Sequence, residues 1–336
     1  MEALAATAAA LVAPPKGILA ADESAATMSA RLASAGAAPT RENRRAHREM
    51  LIAAPGLSTG ISGVILSDET LRQRVSDGRL FPAAIREAGL IAGIRVDTGA
   101  QPLPGAPSET IAEGLDGLPA RLRAYRRLGA AFATWRAVLR IGPGTPSPVA
   151  VRANAQALGR YAAACQEAGL VPIVAPEIGS GGPHSQAACE TVTSLLLLEV
   201  MSELRDYRVD LAAVVLAPSM TLAGRQSGLR SSAAEIAAAS VRTLEGVPLP
   251  VAGVAFLGHG QRPERATENL AAIQSGPHFW PLTFCFGAAL DGPALTAWRG
   301  EPDQLEQGQR ALAHRVRMNV AALDGRYTRE LDLDPA

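Results

Sequence analysis

The chain has 336 residues, 48% of them apolar, with 32 Lys plus Arg against 32 Asp plus Glu. That balance leaves no basic field for nucleic acid and no acidic field for basic partners. No apolar run approaches the roughly 18 to 20 residues that a membrane helix needs, so a soluble globular protein with no membrane partner is expected.

The first segment, MEALAATAAALVAPP, carries Glu2 and no basic residue ahead of its apolar stretch, which disfavours a secretory signal and favours an alanine-rich helix. In chain order, GILAAD (17–22) then opens a series of eight short segments rich in β-branched and small apolar residues. The others are ISGVILS (61–67), AGIRVD (92–97), ATWRAVL (133–139), VPIVAPE (171–177), LAAVVLAP (211–218), VAGVAFLG (251–258) and PLTFCFG (281–287). They recur at intervals of roughly 30 to 44 residues, the alternation of a parallel sheet. Amphipathic helices are expected at 40–54, 118–128, 148–168, 185–206, 232–244, 266–274 and 304–323. Thr40 ahead of Asn43 and Arg44 is a weak helix start, and Ser231 with Glu235 nearby is little better. The polar tail 328–336 is expected to fray.

Eight such units predict an α/β fold, a (β/α)8 TIM barrel formed as a single domain over 1–336. In such barrels the chemistry sits at the C-terminal strand ends. Side chains alternate along a strand, so Thr134 shares a face with Arg136, Ala175 with Glu177, and Val215 with Ala217. With Asp22 after the first strand and Thr98 after the third, these positions are expected to converge on the barrel mouth.

Cys165, Cys189 and Cys285 share no CxxC or CxxxC spacing, a pattern expected of reduced thiols in a cytoplasm. His47, His184, His259, His278 and His314 form no HxH or HxxxH pair, so neither a metal nor another cofactor is expected.

The stretches KGILAADES, ENRRAHREML, SGVILSDETL, EGLDGL, FATWRAVLRIG, LVPIVAPEI and FGAAL resemble the class I fructose-bisphosphate aldolase family, from about Lys16 to Tyr327. The resemblance implies a barrel that assembles as a homo-oligomer, commonly a tetramer. It also implies that Asp22, Arg136, Glu177 and Arg31 stand where the family places substrate hydroxyls, handles protons and helps with a phosphate. At the position of Ala217 the family carries its Schiff-base lysine, at Thr98 and Thr134 two further lysines, and at Ala175 a glutamate that assists. Gly258 and His259 replace a serine and a glycine, Ala288 replaces an arginine, and Gly287 matches. By that comparison the mouth is about three charge units less positive than the family's. The family's tail ends in a tyrosine that reaches the site, whereas the last tyrosine here is Tyr327.

The only lysine is Lys16, six residues before Asp22, which at about 3.3 Å per residue puts it roughly 20 Å away at the opposite barrel end. Arg95 and Arg140 read as simple lysine-to-arginine trades, but the mouth positions carry small neutral residues instead. The leading expectation is therefore a repurposed, lysine-independent enzyme of specialised metabolism, with Asp22 and Glu177 as general acid and base and Arg136 as anion holder. It would act by elimination, isomerisation, cyclisation or lyase chemistry on a less charged small molecule. The pocket would be completed by Arg31, Thr98, Thr134, Ala175, Ala217, Gly258, His259 and Gly287. The alternatives are a catalytically inactive scaffold that binds a metabolite or partner, and a residual lyase for a sugar-like substrate. Plainer roles are open to the same residues: an Arg136–Glu177 pair that holds two strands in register, Asp22 and Glu23 bracing a loop, and Cys285 as a small buried hydrophobe.

Overall fold

The computed structural model describes residues 1–258 and 260–333. Its strands are β1 (Gly17–Ala21), β2 (Ile61–Leu66), β3 (Ile91–Arg95), β4 (Gly99–Leu103), β5 (Ala106–Glu113), β6 (Phe132–Leu139), β7 (Val171–Ile178), β8 (Val215–Leu216), β9 (Gly253–Leu257) and β10 (Leu282–Phe286). Eight of them close a parallel barrel in the order β1-β10-β9-β8-β7-β6-β3-β2, while β4 and β5 form a separate antiparallel hairpin. The barrel strands match the eight apolar segments of the sequence. The sixth is shortest, because Leu211–Ala213 forms a 3-10 turn, with the Asp210 carboxylate accepting from the Ala212 amide at 3.1 Å.

Helices α1 (Glu2–Leu11), α2 (Ala25–Ser34), α3 (Arg41–Ile52), α4 (Leu57–Gly60), α5 (Asp68–Leu71), α6 (Phe81–Glu87) and α7 (Leu118–Leu128) occupy the first part of the chain. They are followed by α8 (Pro148–Glu167), α9 (Gln186–Asp206), α10 (Ala233–Arg242), α11 (Pro263–Ser275), α12 (Ala288–Trp298), α13 (Leu305–Leu323) and α14 (Arg329–Leu333). The start at Thr40 is a genuine cap, and the second helix is capped one residue later than expected, by Ser232 rather than Ser231. Thr40 accepts from the Asn43 amide, and Ser232 with Glu235 forms a reciprocal capping box, each satisfying amides that a helix start leaves unpaired. In the tail, α14 is fastened by Asp332, which accepts from Arg315 and from the Tyr327 hydroxyl at 2.8 Å.

The first helix plugs the N-terminal end of the barrel. Ala8, Leu11 and Val12 join Ile18, Phe132, Val171 and Ile173 in the interior cluster, and Ser62 donates to the Leu11 carbonyl at 2.6 Å. Each such large side chain contributes about 1.5–3 kcal/mol by leaving water. Glycines make room for this packing. A Cβ on Gly63 would lie 2.7 Å from Leu11, and one on Gly93 would lie 2.2 Å from the buried Phe132 ring. The lower barrel is thus solid and only the opposite end is open.

Outside the barrel, a buried charged network ties the loop after β1 to α2, α3 and α12. Arg31 donates to both oxygens of Asp291 at 2.6 and 3.1 Å and also to Glu23, which accepts from Arg48 at 2.6 Å. Arg48 lies 3.0 Å from His47 Nδ1, and burial together with that guanidinium pushes the His47 pKa down to about 3. Burial raises Asp291, but Arg31 more than offsets it and holds the carboxyl below its usual range.

Two measurements test this packing. Gly93→Ala should destabilise the protein by about 1–3 kcal/mol, and a cycle with Phe132→Leu should show coupling of about 1 kcal/mol, whereas strict additivity in urea denaturation would contradict the packing. His47 has a folded pKa of about 3 against an ordinary 6.5, so its contribution is complete above pH 6.5 and is lost as pH falls toward 3. Histidine-labelled 15N spectra should show a neutral His47 ring at pH 5, and stability should fall with acid by up to roughly 1.4 kcal/mol per pH unit from this group. A ring that titrates near its ordinary value would contradict the assignment.

Candidate functional site

The open end of the barrel is a cavity of about 400 Å³ built almost entirely from strand ends. Asp22 enters it just past β1, Thr134 and Arg136 from β6, Ala175 and Glu177 from β7, Ala217 past β8, Gly258 past β9, and Cys285 and Gly287 from β10 and beyond. The alternation read from sequence therefore brings these residues together. Arg31 reaches the rim from α2, already engaged with Asp291 and Glu23. Thr98 does not join them. It lies three residues beyond β3 and lines a side cavity with Asp97 and Arg121 that shares only Asp22 with the mouth, which corrects its placement on the mouth wall. His259 lies outside the described residues.

At the centre, Arg136 makes a bidentate pair with Glu177, Nε to Oε1 at 2.5 Å and Nη2 to Oε2 at 2.9 Å. Glu177 is wholly buried and Arg136 is one-third exposed (33%). The charge of Glu177, opposed by burial and helped by Asp22 and Asp97, raises the Arg136 pKa further, so the guanidinium is permanently charged. Its Nη1 is left without a partner among the described residues and can meet a ligand. Asp22 is 7% exposed, and its carboxylate makes no hydrogen bond among the described residues.

Asp97 completes the frame and was overlooked in the sequence. Its carboxylate accepts from Arg95 at 2.7 Å, from the Gly99 amide at 3.2 Å and from the Arg136 amide at 3.2 Å, so it fixes the backbone under the central arginine. The signal was present, since AGIRVD ends in aspartate just as GILAAD does.

The remaining wall is small and apolar: Ala20, Ile65, Ala175, Ala217, Leu257 and Cys285. Burial holds the Cys285 thiol protonated, so it offers no thiolate. Two glycines have packing reasons as well. A Cβ on Gly258 would lie 2.9 Å from Phe286, and one on Gly287 would lie 2.9 Å from the Ala20 carbonyl. Gly287 also precedes α12 without a side-chain cap, so the first turn of that helix, with Ala288 and Ala289 on the cavity wall, offers free amides to an anion. No lysine lines the cavity. Lys16 sits ahead of β1 at the plugged end, where its carbonyl accepts from Thr283 at 2.6 Å.

The family model for fructose-bisphosphate aldolase class I matches residues 3–334. A probable fructose-bisphosphate aldolase class 1 of Xanthomonas campestris pv. campestris is 44% identical over 330 residues, covering 97% of this chain and 99% of that relative. Fructose-bisphosphate aldolase B of Gallus gallus is 43% identical, covering 97% and 91%. A solved fructose-bisphosphate aldolase of Plasmodium falciparum, in a complex with TRAP and a small-molecule inhibitor, superposes with a TM-score of 0.95 at 39% identity, covering 97% and 95%. These likenesses overturn the expectation of a repurposed enzyme or an inactive scaffold. Differences at a few mouth positions count for less than a similarity that runs through the whole chain, and the relatives that share it carry the aldolase name. The chain belongs to the class I fructose-bisphosphate aldolase family.

Proposed function

We propose that this chain is an aldol-type carbon–carbon lyase that acts on fructose 1,6-bisphosphate, or a closely similar ketose phosphate, in the cavity at the barrel mouth. The observation that carries the reading is the 43–44% identity, over 97% of the chain, to proteins named for that reaction. With it we propose the finer point that this is a divergent member, with Ala217 standing where the family resemblance places the Schiff-base lysine.

Aldol cleavage makes three demands on the residues present. A base takes the proton of the hydroxyl at the carbon that becomes the aldehyde. The electron pair of the broken bond moves to the ketone oxygen, and the resulting enediolate then takes up a proton. Asp22 is the base this wall offers, since its carboxylate is not engaged by a neighbour. Arg136 supplies the charge that the forming oxyanion needs, held in place by Glu177 and by Asp97 below it. Thr134 adds a hydroxyl on the same wall, and the amides of the first turn of α12 suit an anionic group of the ligand.

Homo-oligomeric assembly, a tetramer by the family resemblance, and a cytoplasmic location belong to the same reading. Support comes from three free buried cysteines, from exposed Leu198 and Leu249, and from the observation that no helix of the described residues is long and apolar enough to cross a membrane.

In a coupled dehydrogenase assay, the purified chain should release triose phosphates from fructose 1,6-bisphosphate, and Asp22→Asn should lower kcat by about 10²–10⁴-fold. No turnover at micromolar enzyme would refute the reading. Ala217→Lys should raise kcat by about 10²-fold or more and increase the adduct that borohydride fixes on the protein, as expected of an amine nucleophile placed against a ketone. If that variant gains neither, position 217 is not where the missing lysine belongs.

A further inference from the structure

The charged side chains of the mouth do not by themselves balance a bisphosphate. They are Asp22, Glu23 and Glu177 against Arg31 and Arg136, a net charge of minus one, and both arginines are already paired with carboxylates. A second cavity of about 930 Å³ adjoins it, with Gly260 and Gln261 lining both. Both volumes are within the range of ligand pockets.

The second cavity has the opposite balance, with five arginines and three carboxylates on its wall. The carboxylates Glu268 and Asp332 are taken up by Arg265, Arg329 and Arg315. Arg225, Arg230 and Arg262 have no ion-pair partner among the described residues, although Glu264 lines the same cavity. An unpaired cluster of like charges is unfavourable unless an anion completes it.

Their backbones are nonetheless fixed. The amide of Arg225 donates to the Ser180 carbonyl at 2.9 Å, and Gly224 and Gln226 donate to the carbonyls of His184 and Gly182 at 2.9 and 3.2 Å, tying this loop to the one after β7. Arg265 donates to the Ser231 carbonyl at 2.5 Å, which ties the loop to α11. Arg262 itself occupies the position before α11 and gives no side-chain cap, so the helix presents unpaired amides beside it. The scaffold is ordered while the guanidinium groups remain uncommitted, which suits capture of a dianion.

We propose that Arg225, Arg230 and Arg262 form a phosphate-binding site continuous with the mouth, which holds the distal phosphate of a ligand whose carbonyl end lies against Arg136. The assignment rests on the ketose-phosphate reading above. In effect, the positive charge that the mouth lacks is supplied by the neighbouring cavity.

The test is isothermal titration of the full-length protein with fructose 1,6-bisphosphate, unphosphorylated fructose and inorganic phosphate. The proteins compared are the unsubstituted chain, the triple variant Arg225→Gln/Arg230→Gln/Arg262→Gln, and Arg242→Gln, which removes a charge from the far end of α10. The three target side chains are exposed, so folding should be retained, with thermal melting as the check. At about threefold per screened charge–phosphate contact, the triple variant should bind the bisphosphate about thirtyfold more weakly, with the loss falling on KM in turnover. Inorganic phosphate should compete with the bisphosphate more weakly in the triple variant than in the unsubstituted chain and in Arg242→Gln.

Bisphosphate binding that is equal in the triple variant, or phosphate binding that none of these arginines affects, would overturn the proposal. The two readings fail separately. Arginine-dependent bisphosphate binding without cleavage would preserve this site and refute the lyase reading. Cleavage with a KM indifferent to the three substitutions would do the reverse.

Discussion

Glu177 is a carboxylate with no exposed surface, placed on the inner wall of a closed barrel. Such a charge is tolerated only when an opposite charge with matched geometry meets it, and removing one partner of a buried pair costs about 3–5 kcal/mol. Arg136 provides that geometry from the adjacent strand, with two parallel hydrogen bonds. Because its guanidinium is partly open to the mouth, the cost here falls toward the lower end of that range. The pair therefore has two consequences. It fixes the relation of β6 to β7 at their open ends, and it delivers one oriented, permanently charged group beside the small apolar side chains of Ala20, Ala175, Ala217 and Cys285.

The rest of the upper barrel is arranged to keep that group in place. Asp97 holds the backbone amide of Arg136 and is itself held by Arg95, so the arginine is fixed at its main chain as well as its head. On the other side of the mouth, Arg31 bridges Glu23 and Asp291, which binds α2 and α12 to the loop carrying Asp22. Asp22 is the exception, a nearly buried carboxylate between two braced networks with no hydrogen bond among the described residues.

The barrel was legible because strands buried on both faces read as continuous apolar runs, and eight of them appear at regular spacing. The β4–β5 hairpin was not, since its GAQPL and APSETIAE segments are polar, proline-bearing and largely exposed, the opposite of a core strand. Nor was α12, in which apolar residues surround the axis and Pro293 breaks the pattern, so no amphipathic period appears. Within the site, alternation placed residues correctly as long as a strand lasted. It says nothing of Asp97 and misplaces Thr98, because β3 ends at Arg95 and both residues follow it. The second cavity was invisible for a further reason. Its arginines come from the loop after β8 and the start of α11, and only the hydrogen bonds between loops bring them to one wall.

By the family resemblance, Ala217 is the most conspicuous departure in the sequence, but one position counts for less than a likeness that runs through the whole chain. A side chain at position 217 can change the rate of one step without changing the scaffold that binds and orients a substrate. Ala175 and Ala217 together remove charges of opposite sign by the family comparison, so their loss changes the local field less than either would alone. The two cavities divide their charge: the mouth holds arginines already bound to carboxylates, and the neighbouring cavity holds arginines with no ion-pair partner among the described residues, exposed where charge can be met without burying it.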